Sequence, residues 1–172
     1  MNTIIYSRLD NDNFKEFSLD KFVRHQQVKE CWRNIDGEWK LIHNEFTEEW
    51  TLKKCRAVAG NITSNLREGL EAFGAFDGDV LIAYITVGKK FFGSQKQYVE
   101  LIEFQVSEPY RRQGIGKQLF ELVCGAARDM GAKKLYISAH SSKESQAAYR
   151  KLGCKLVEEI NQVIAEKEPC DV

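Results

Sequence analysis

The segment Arg111-Arg112-Gln113-Gly114-Ile115-Gly116-Lys117 puts three cations and two glycines into seven residues, between a strand-like run and a helix-like run. The first backbone N–H groups of a helix have no intrahelical partner, and the dipole there is positive, so such a turn suits an anion. Glycine keeps side chains away from the main chain, and the arginines with Lys117 add charge-assisted contacts; the chemistry on offer is the binding of phosphate or pyrophosphate. The spacing R-x-x-G-x-G is neither a Walker loop, G-x-x-x-x-G-K-[ST], nor the dinucleotide fingerprint G-x-G-x-x-G, whose third glycine is missing. Nucleotide hydrolysis and NAD binding are therefore disfavoured. The plain alternative is a glycine-rich strand–helix turn with a solvated basic face.

Two carboxylates precede this turn on the run Tyr98–Val106, namely Glu100 and Glu103. Period two puts them on opposite faces of a strand unless a bulge intervenes, and either could be a solvated or salt-bridged strand residue. His140 stands at the end of a later strand with no orienting partner visible in the sequence. The five cysteines, Cys31, Cys55, Cys124, Cys154 and Cys170, form no C-x-x-C pair and no zinc spacing, which fits a reduced cytosolic protein without a metal. Cys124 and Cys154 read as small core hydrophobes.

These residues need a scaffold, and period and punctuation supply one. Lys21–Arg33 and Glu38–His43 read as a β-hairpin around Asp36-Gly37. Thr47 or Thr51 caps a helix that carries Leu52, Cys55, Val58 or Ala59, and Ile62 on one face and ends near Gly60–Asn61. Glu71–Phe76 and Val80–Val87 are strands joined through Asp77-Gly78-Asp79, and Tyr98–Val106 is a third strand that stops before Pro109. Ile115, Leu119, Leu122, Val123, Ala126 and Met130 follow a helical period up to a cap at Gly131. Lys134–Ala139 reads as a strand, Ser141-Ser142-Lys143-Glu144 as a capping box, Gln146–Leu152 as a helix and Lys155–Ile160 as a last strand. This order describes an α/β (α+β) three-layer domain with a mixed central sheet flanked by helices.

The chain has 172 residues, the length of one domain, and its 25 Lys+Arg balance 25 Asp+Glu. A globally basic binder of nucleic acid or anionic membrane is thereby disfavoured. No stretch approaches the roughly 20 apolar residues of a membrane span, and the N-terminus lacks a basic region followed by an apolar core; a cytoplasmic protein is expected. The zero is a cancellation. From Pro109 to Lys155, ten Lys and Arg stand against Glu121, Asp129 and Glu144, whereas the residues after Lys155 carry one lysine against five acids.

The strand LIEFQV, the segment PYRRQGIGKQLFELVCGAA, the strand KLYISA and the helix AAYRKLGCK occur in that order. On these pieces the chain, from about Glu71 to Ile160, resembles the GNAT superfamily of acyl-CoA-dependent N-acetyltransferases. The resemblance implies a GNAT-like three-layer fold with an N-terminal β-hairpin extension. It also implies one acetyltransferase domain over 1–172, with 1–68 on the acceptor side and 69–160 as the acetyl-CoA-binding core. It assigns the cofactor pyrophosphate to Arg111, Arg112, Gln113, Gly114, Ile115, Gly116 and Lys117, and the pantetheine amides to Phe104, Gln105 and Val106. Tyr149 is placed near the thioester sulfur, as the acid that protonates the departing thiolate. Ser142 stands where many members have an Asn that assists cofactor placement, and Gly153-Cys154 where many have Gly-Phe; Ser142 and Ser145, which share a helix face with Tyr149 by spacing, are expected on the cofactor side.

An alkyl amine is mostly protonated at neutral pH and needs a base before it can attack a thioester. The resemblance to histone-acetylating members puts that base at Glu100, and Glu103 on the same strand is the other candidate. The expected activity is transfer of the acetyl group from acetyl-CoA, as co-substrate and with no metal, directly to a primary amine of a small molecule or protein. The partner is an amine-bearing acceptor, with neither nucleic acid nor membrane involved. The rival is a non-catalytic CoA-binding or sensing module. A chain that stops soon after Lys155–Ile160 leaves a sheet edge for residues 162–172 or for a second copy in a homodimer.

Overall fold

The computed structural model describes residues 3–172. In chain order the first elements are β1 (Ile4–Arg8), β2 (His25–Ile35), β3 (Glu38–Glu49), α1 (Leu52–Arg67), β4 (Glu71–Asp77) and β5 (Val80–Val87). They are followed by β6 (Tyr98–Val106), α2 (Ile115–Asp129), β7 (Lys134–Ile137), α3 (Lys143–Lys151) and α4 (Gln162–Lys167). Two compact units result, one of residues 3–25 with Glu49–Leu135, the other of Gln26–Glu48 with Tyr136–Val172. No helix among the described residues is long and apolar enough to cross a membrane.

The first unit is built on a sheet whose strand order is β1-β4-β5-β6-β7, antiparallel from β1 through β6. The β4–β5 turn is the expected Asp-Gly one, and Asp77 pairs with Val80 across it. One face carries α1, whose Cys55, Ala59 and Ile62 cluster with Phe14, Leu19, Phe22, Ala72, Leu81 and Tyr84. The other face carries α2 against Phe104 and Val106 of β6. Helices on both faces of a sheet are the three-layer α/β architecture expected from the element order. The first strand, β1, has no counterpart in the sequence reading.

Thr51 caps α1, accepting from the Lys54 N–H at 3.2 Å. The helix runs past Gly60–Asn61, where the sequence suggested an end, because one interior glycine costs only about 1 kcal/mol. It closes instead where Gly69 N–H reaches the Leu66 carbonyl and Leu70 N–H the Asn65 carbonyl, the Schellman pattern.

In the second unit β2 and β3 form the expected hairpin, with Asp36 and Gly37 both at positive φ as a two-residue primed turn demands. Its first strand starts four residues later than the sequence suggested, and its second starts at Glu38 as expected but ends six residues later. Ser142, not Ser141, is the N-cap of α3, so the helix starts at Lys143. Lys155–Ile160 is not a strand: a strand needs a ladder partner, and this run joins neither sheet, while beyond β7 Ala139 exchanges both backbone hydrogen bonds with Val172 (2.9 and 3.2 Å). Leu156 and Ile160 are left 61% and 58% exposed. Residues 162–172 form α4 and this terminal pairing rather than a further strand.

Candidate functional site

The turn after β6 is shaped by its backbone. Arg112 has φ 60° and Gly114, the N-cap of α2, has φ 82°, so the chain turns sharply before the helix begins. The first helical bond runs from Gln118 N–H to the Gly114 carbonyl (3.2 Å), which leaves the N–H groups of Ile115, Gly116 and Lys117 in the unpaired first turn. No acidic residue lies in that turn, so nothing opposes the positive dipole end. A Cβ built on Gly114 meets nothing within 4 Å: the space is open, and glycine is required there for its φ.

Gly116 differs from the sequence-based rationale. Its missing Cβ faces the sheet, where it would stand 3.2 Å from Phe104 Cζ, so this glycine serves helix–strand packing rather than the approach of an anion. The three cations also divide their work. Arg112 and Lys117 are exposed, and Lys117 pairs weakly with Glu121 at 3.9 Å. Arg111 turns inward, its Nε donating to the Val106 carbonyl (3.1 Å) and a terminal nitrogen to the His25 carbonyl (2.8 Å). Burial, and then the charge of Arg24, lower its basicity. The segment it holds is also tied by Val23, whose N–H donates to Ser107 Oγ and whose carbonyl accepts from Glu108 N–H.

On β6 the bulge decides the geometry of the carboxylates. Thr86 pairs with Glu103 but Val87 with Leu101, so Ile102 is the extra residue, 45% exposed. Gly88 N–H then bonds the Glu100 carbonyl, and the register puts Glu100 and Glu103 on the same face, not on opposite faces. Glu103 is anchored twice: its N–H donates to Thr86 Oγ1 (3.0 Å), and its Oε2 accepts from the Tyr84 hydroxyl (2.8 Å). Burial pushes its carboxyl above the ordinary range, against the opposing pull of Tyr84 and of Lys54 on α1. Gln105 lies opposite Tyr84, while Phe104 and Val106 face α2. Tyr84 is absent from the sequence-based candidates; inside an apolar run it reads as core, and only strand register brings it to Glu103.

The second unit carries Ser142, Ser145 and Tyr149. Ser142 is 0% exposed, and its hydroxyl accepts from Ser145 N–H (3.2 Å), bonds Ser145 Oγ (2.9 Å) and receives the Gln26 amide (3.3 Å). Its hydroxyl is thus spent on capping α3. Tyr149 is half-buried on α3, its carbonyl accepts from Cys154 N–H (3.0 Å), and burial, then Cys154 and Asp171, raise its phenol well above the usual value. His140 does have orienting partners: its Nδ1 accepts from Ser142 N–H (3.1 Å) and its Nε2 faces Glu48 at 3.3 Å. All five cysteines are free.

The Acetyltransferase (GNAT) family model matches residues 35–154. No curated protein matches the chain in sequence. Among solved structures, the fold is similar to a putative streptothricin acetyltransferase from Bacillus anthracis str. Ames in complex with acetyl coenzyme A. That pair has TM-score 0.67 and 13% identity, over 98% of this chain and 93% of that one. It is also similar to ribosomal-protein-alanine N-acetyltransferase from Brucella melitensis biovar Abortus 2308 (TM-score 0.60, 13% identity, 92% and 96% covered). A third is an aminoglycoside acetyltransferase from an uncultured soil metagenomic sample, in complex with sisomicin (TM-score 0.58, 13% identity, 92% and 92% covered). Likeness at this identity speaks for the fold alone.

Proposed function

The chain belongs to the acetyltransferase (GNAT) family, and from that premise we propose that it transfers the acetyl group of acetyl-CoA directly to a primary amine of a small molecule. The observation that carries this reading is the turn at Gly114, where the first-turn N–H groups of α2 have no intrahelical partner and a Cβ on Gly114 would meet nothing within 4 Å, beside exposed Arg112 and Lys117. That set fits a pyrophosphate: backbone donors and the helix dipole bind it, and the two cations assist. Bound acetyl-CoA supplies an activated acetyl thioester.

The remaining chemistry belongs to the chain's own residues. Phe104, Gln105 and Val106 line the end of β6 as the strand that receives the pantetheine arm. Glu103, half-buried and with its carboxyl raised by that burial, is the base that takes the proton from the acceptor amine; Glu100, on the same face, is the second candidate. Tyr149 keeps its proton across the working pH range and is the donor to the departing thiolate. Ser142 and Ser145 act through the start of α3, and Arg111 acts by holding the residue 23–25 segment to β6. The streptothricin and aminoglycoside acetyltransferases among the similar structures support a small-molecule amine as acceptor. The free cysteines support work in a reducing cytoplasm.

Calorimetric titration with acetyl-CoA tests the cofactor assignment, with a Kd in the micromolar range expected. Release of free thiol over a panel of polyamines, aminoglycosides and amino acids then tests turnover. No binding by folded protein would remove the proposal; binding without thiol release on any amine would favour a sensing module.

A further inference from the structure

The core cluster around α1 contains one member that apolar packing does not account for. Tyr84 is 0% exposed, and its ring lies 5.7 Å from that of Phe22 at 59°. A phenylalanine would fill the same space without a buried hydroxyl to satisfy. The hydroxyl's partner is the carboxylate of half-buried Glu103 on β6, reached at 2.8 Å. A fully buried ring thus aims its one polar atom at a β6 carboxylate, which joins the core to the candidate site.

We propose that Tyr84 is a positioning residue for acetyl transfer: its phenol holds the Glu103 carboxylate in place and sets the pH at which that carboxylate can accept the acceptor's proton. The proposal rests on the reading of Glu103 as the base. Glu103 is fixed at both ends, by Thr86 at its N–H (3.0 Å) and by Tyr84 at Oε2 (2.8 Å), beside the bulge at Ile102 that turns it to this face. Donation to the charged form favours it, opposing the burial that favours the neutral acid. The other groups acting here are Lys54 of α1, by its charge on Glu103, and Cys55 of α1 with Arg24, by their charges on Tyr84. In the step itself the acceptor nitrogen loses a proton to a Glu103 oxygen, and Tyr84 keeps its own.

The test is the pH profile of kcat/KM for wild type, Tyr84→Phe, Glu103→Gln and protein carrying 3-fluorotyrosine at position 84 alone. Losing a hydrogen bond to a charged group moves the acidic limb of Tyr84→Phe upward by about one to two pH units, with the high-pH plateau retained. The fluorinated phenol, a stronger donor, moves that limb down, which keeps the test alive should Tyr84→Phe not fold. Unmoved limbs in folded variants, with Glu103→Gln inactive, would overturn the role of Tyr84 and leave the base assignment standing. Wild-type activity in Glu103→Gln would overturn both.

Discussion

A Cβ on Gly116 would stand 3.2 Å from Phe104 Cζ and 3.5 Å from Val106 Cγ2, so the first turn of α2 lies against the last residues of β6 with no room between them. The same contact joins the N-terminal end of α2 to the strand that carries Glu103. Gly114, two residues earlier, borders open space and is held to glycine by φ alone. The two glycines of one motif therefore answer different constraints.

Substituting each glycine separates the two. Gly116→Val should lower stability by about 1–3 kcal/mol through overpacking. That corresponds to a Tm loss of roughly 2–4 °C per kcal/mol for a chain of this size, read by thermal melting. Gly114→Val should be destabilising by its left-handed φ, whereas Gly114→Asn should recover most of that loss.

Arg111 and Arg112 should behave unlike each other despite being neighbours in one motif. Arg111→Gln removes two charge-assisted bonds to carbonyls of Val106 and His25. Each is worth about 1.5–3 kcal/mol, so the variant should melt earlier at every salt concentration. Arg112→Gln and Lys117→Gln, on exposed side chains, should leave the melting temperature within about 1 °C of wild type. Both should weaken acetyl-CoA binding several-fold, an effect that titration at rising ionic strength would show to fade.

Glu103→Gln should lower kcat/KM by roughly 10²- to 10⁴-fold, and Glu100→Gln by much less, in steady-state assays. Because burial raises the folded-state pKa of Glu103, the folded protein binds more protons than the unfolded one between the ordinary carboxylate value and the raised one. Stability from this group is complete below the ordinary value and is lost as pH rises through the raised one. Glu103→Gln, which cannot ionise, should therefore melt at a higher temperature than wild type at neutral pH, with the difference closing in acid. An inactive variant with no such gain would argue against the burial of a charged carboxylate here.

Tyr149→Phe should reduce kcat by roughly tenfold to a thousandfold while acetyl-CoA affinity stays near that of wild type. Since its phenol is raised above the usual value, the high-pH limb of the wild-type profile should not be its titration and should persist in the variant. Parallel kinetics and calorimetry would check both halves, and an unchanged kcat would remove Tyr149 from the chemistry.

The elements that were legible in the sequence are those whose cause is local. The Asp36-Gly37 and Asp77-Gly78 turns need positive φ and contain residues that tolerate it. The stripe from Ile115 through Leu119 and Val123 has a helical period and is buried along it. The R-x-x-G-x-G turn announces itself because backbone conformation and helix polarity follow from a few adjacent residues. By itself, then, the sequence determined the glycine-bearing turn, the strand and helix on either side of it, and the three-layer class.

What only the tertiary structure decided depends on partners distant in the chain. Whether Glu100 and Glu103 share a face depended on a bulge, which is a property of strand pairing and not of the strand. Whether Arg111 meets a ligand or the carbonyl of His25, 86 residues away, could not be read from its own neighbours. The run Lys155–Ile160 has strand-like residues but joins neither sheet, and a strand exists only where another backbone pairs with it. Tyr84 looked like core for the same reason: side-chain period reports which residues are buried, while register alone reports which buried residue meets which.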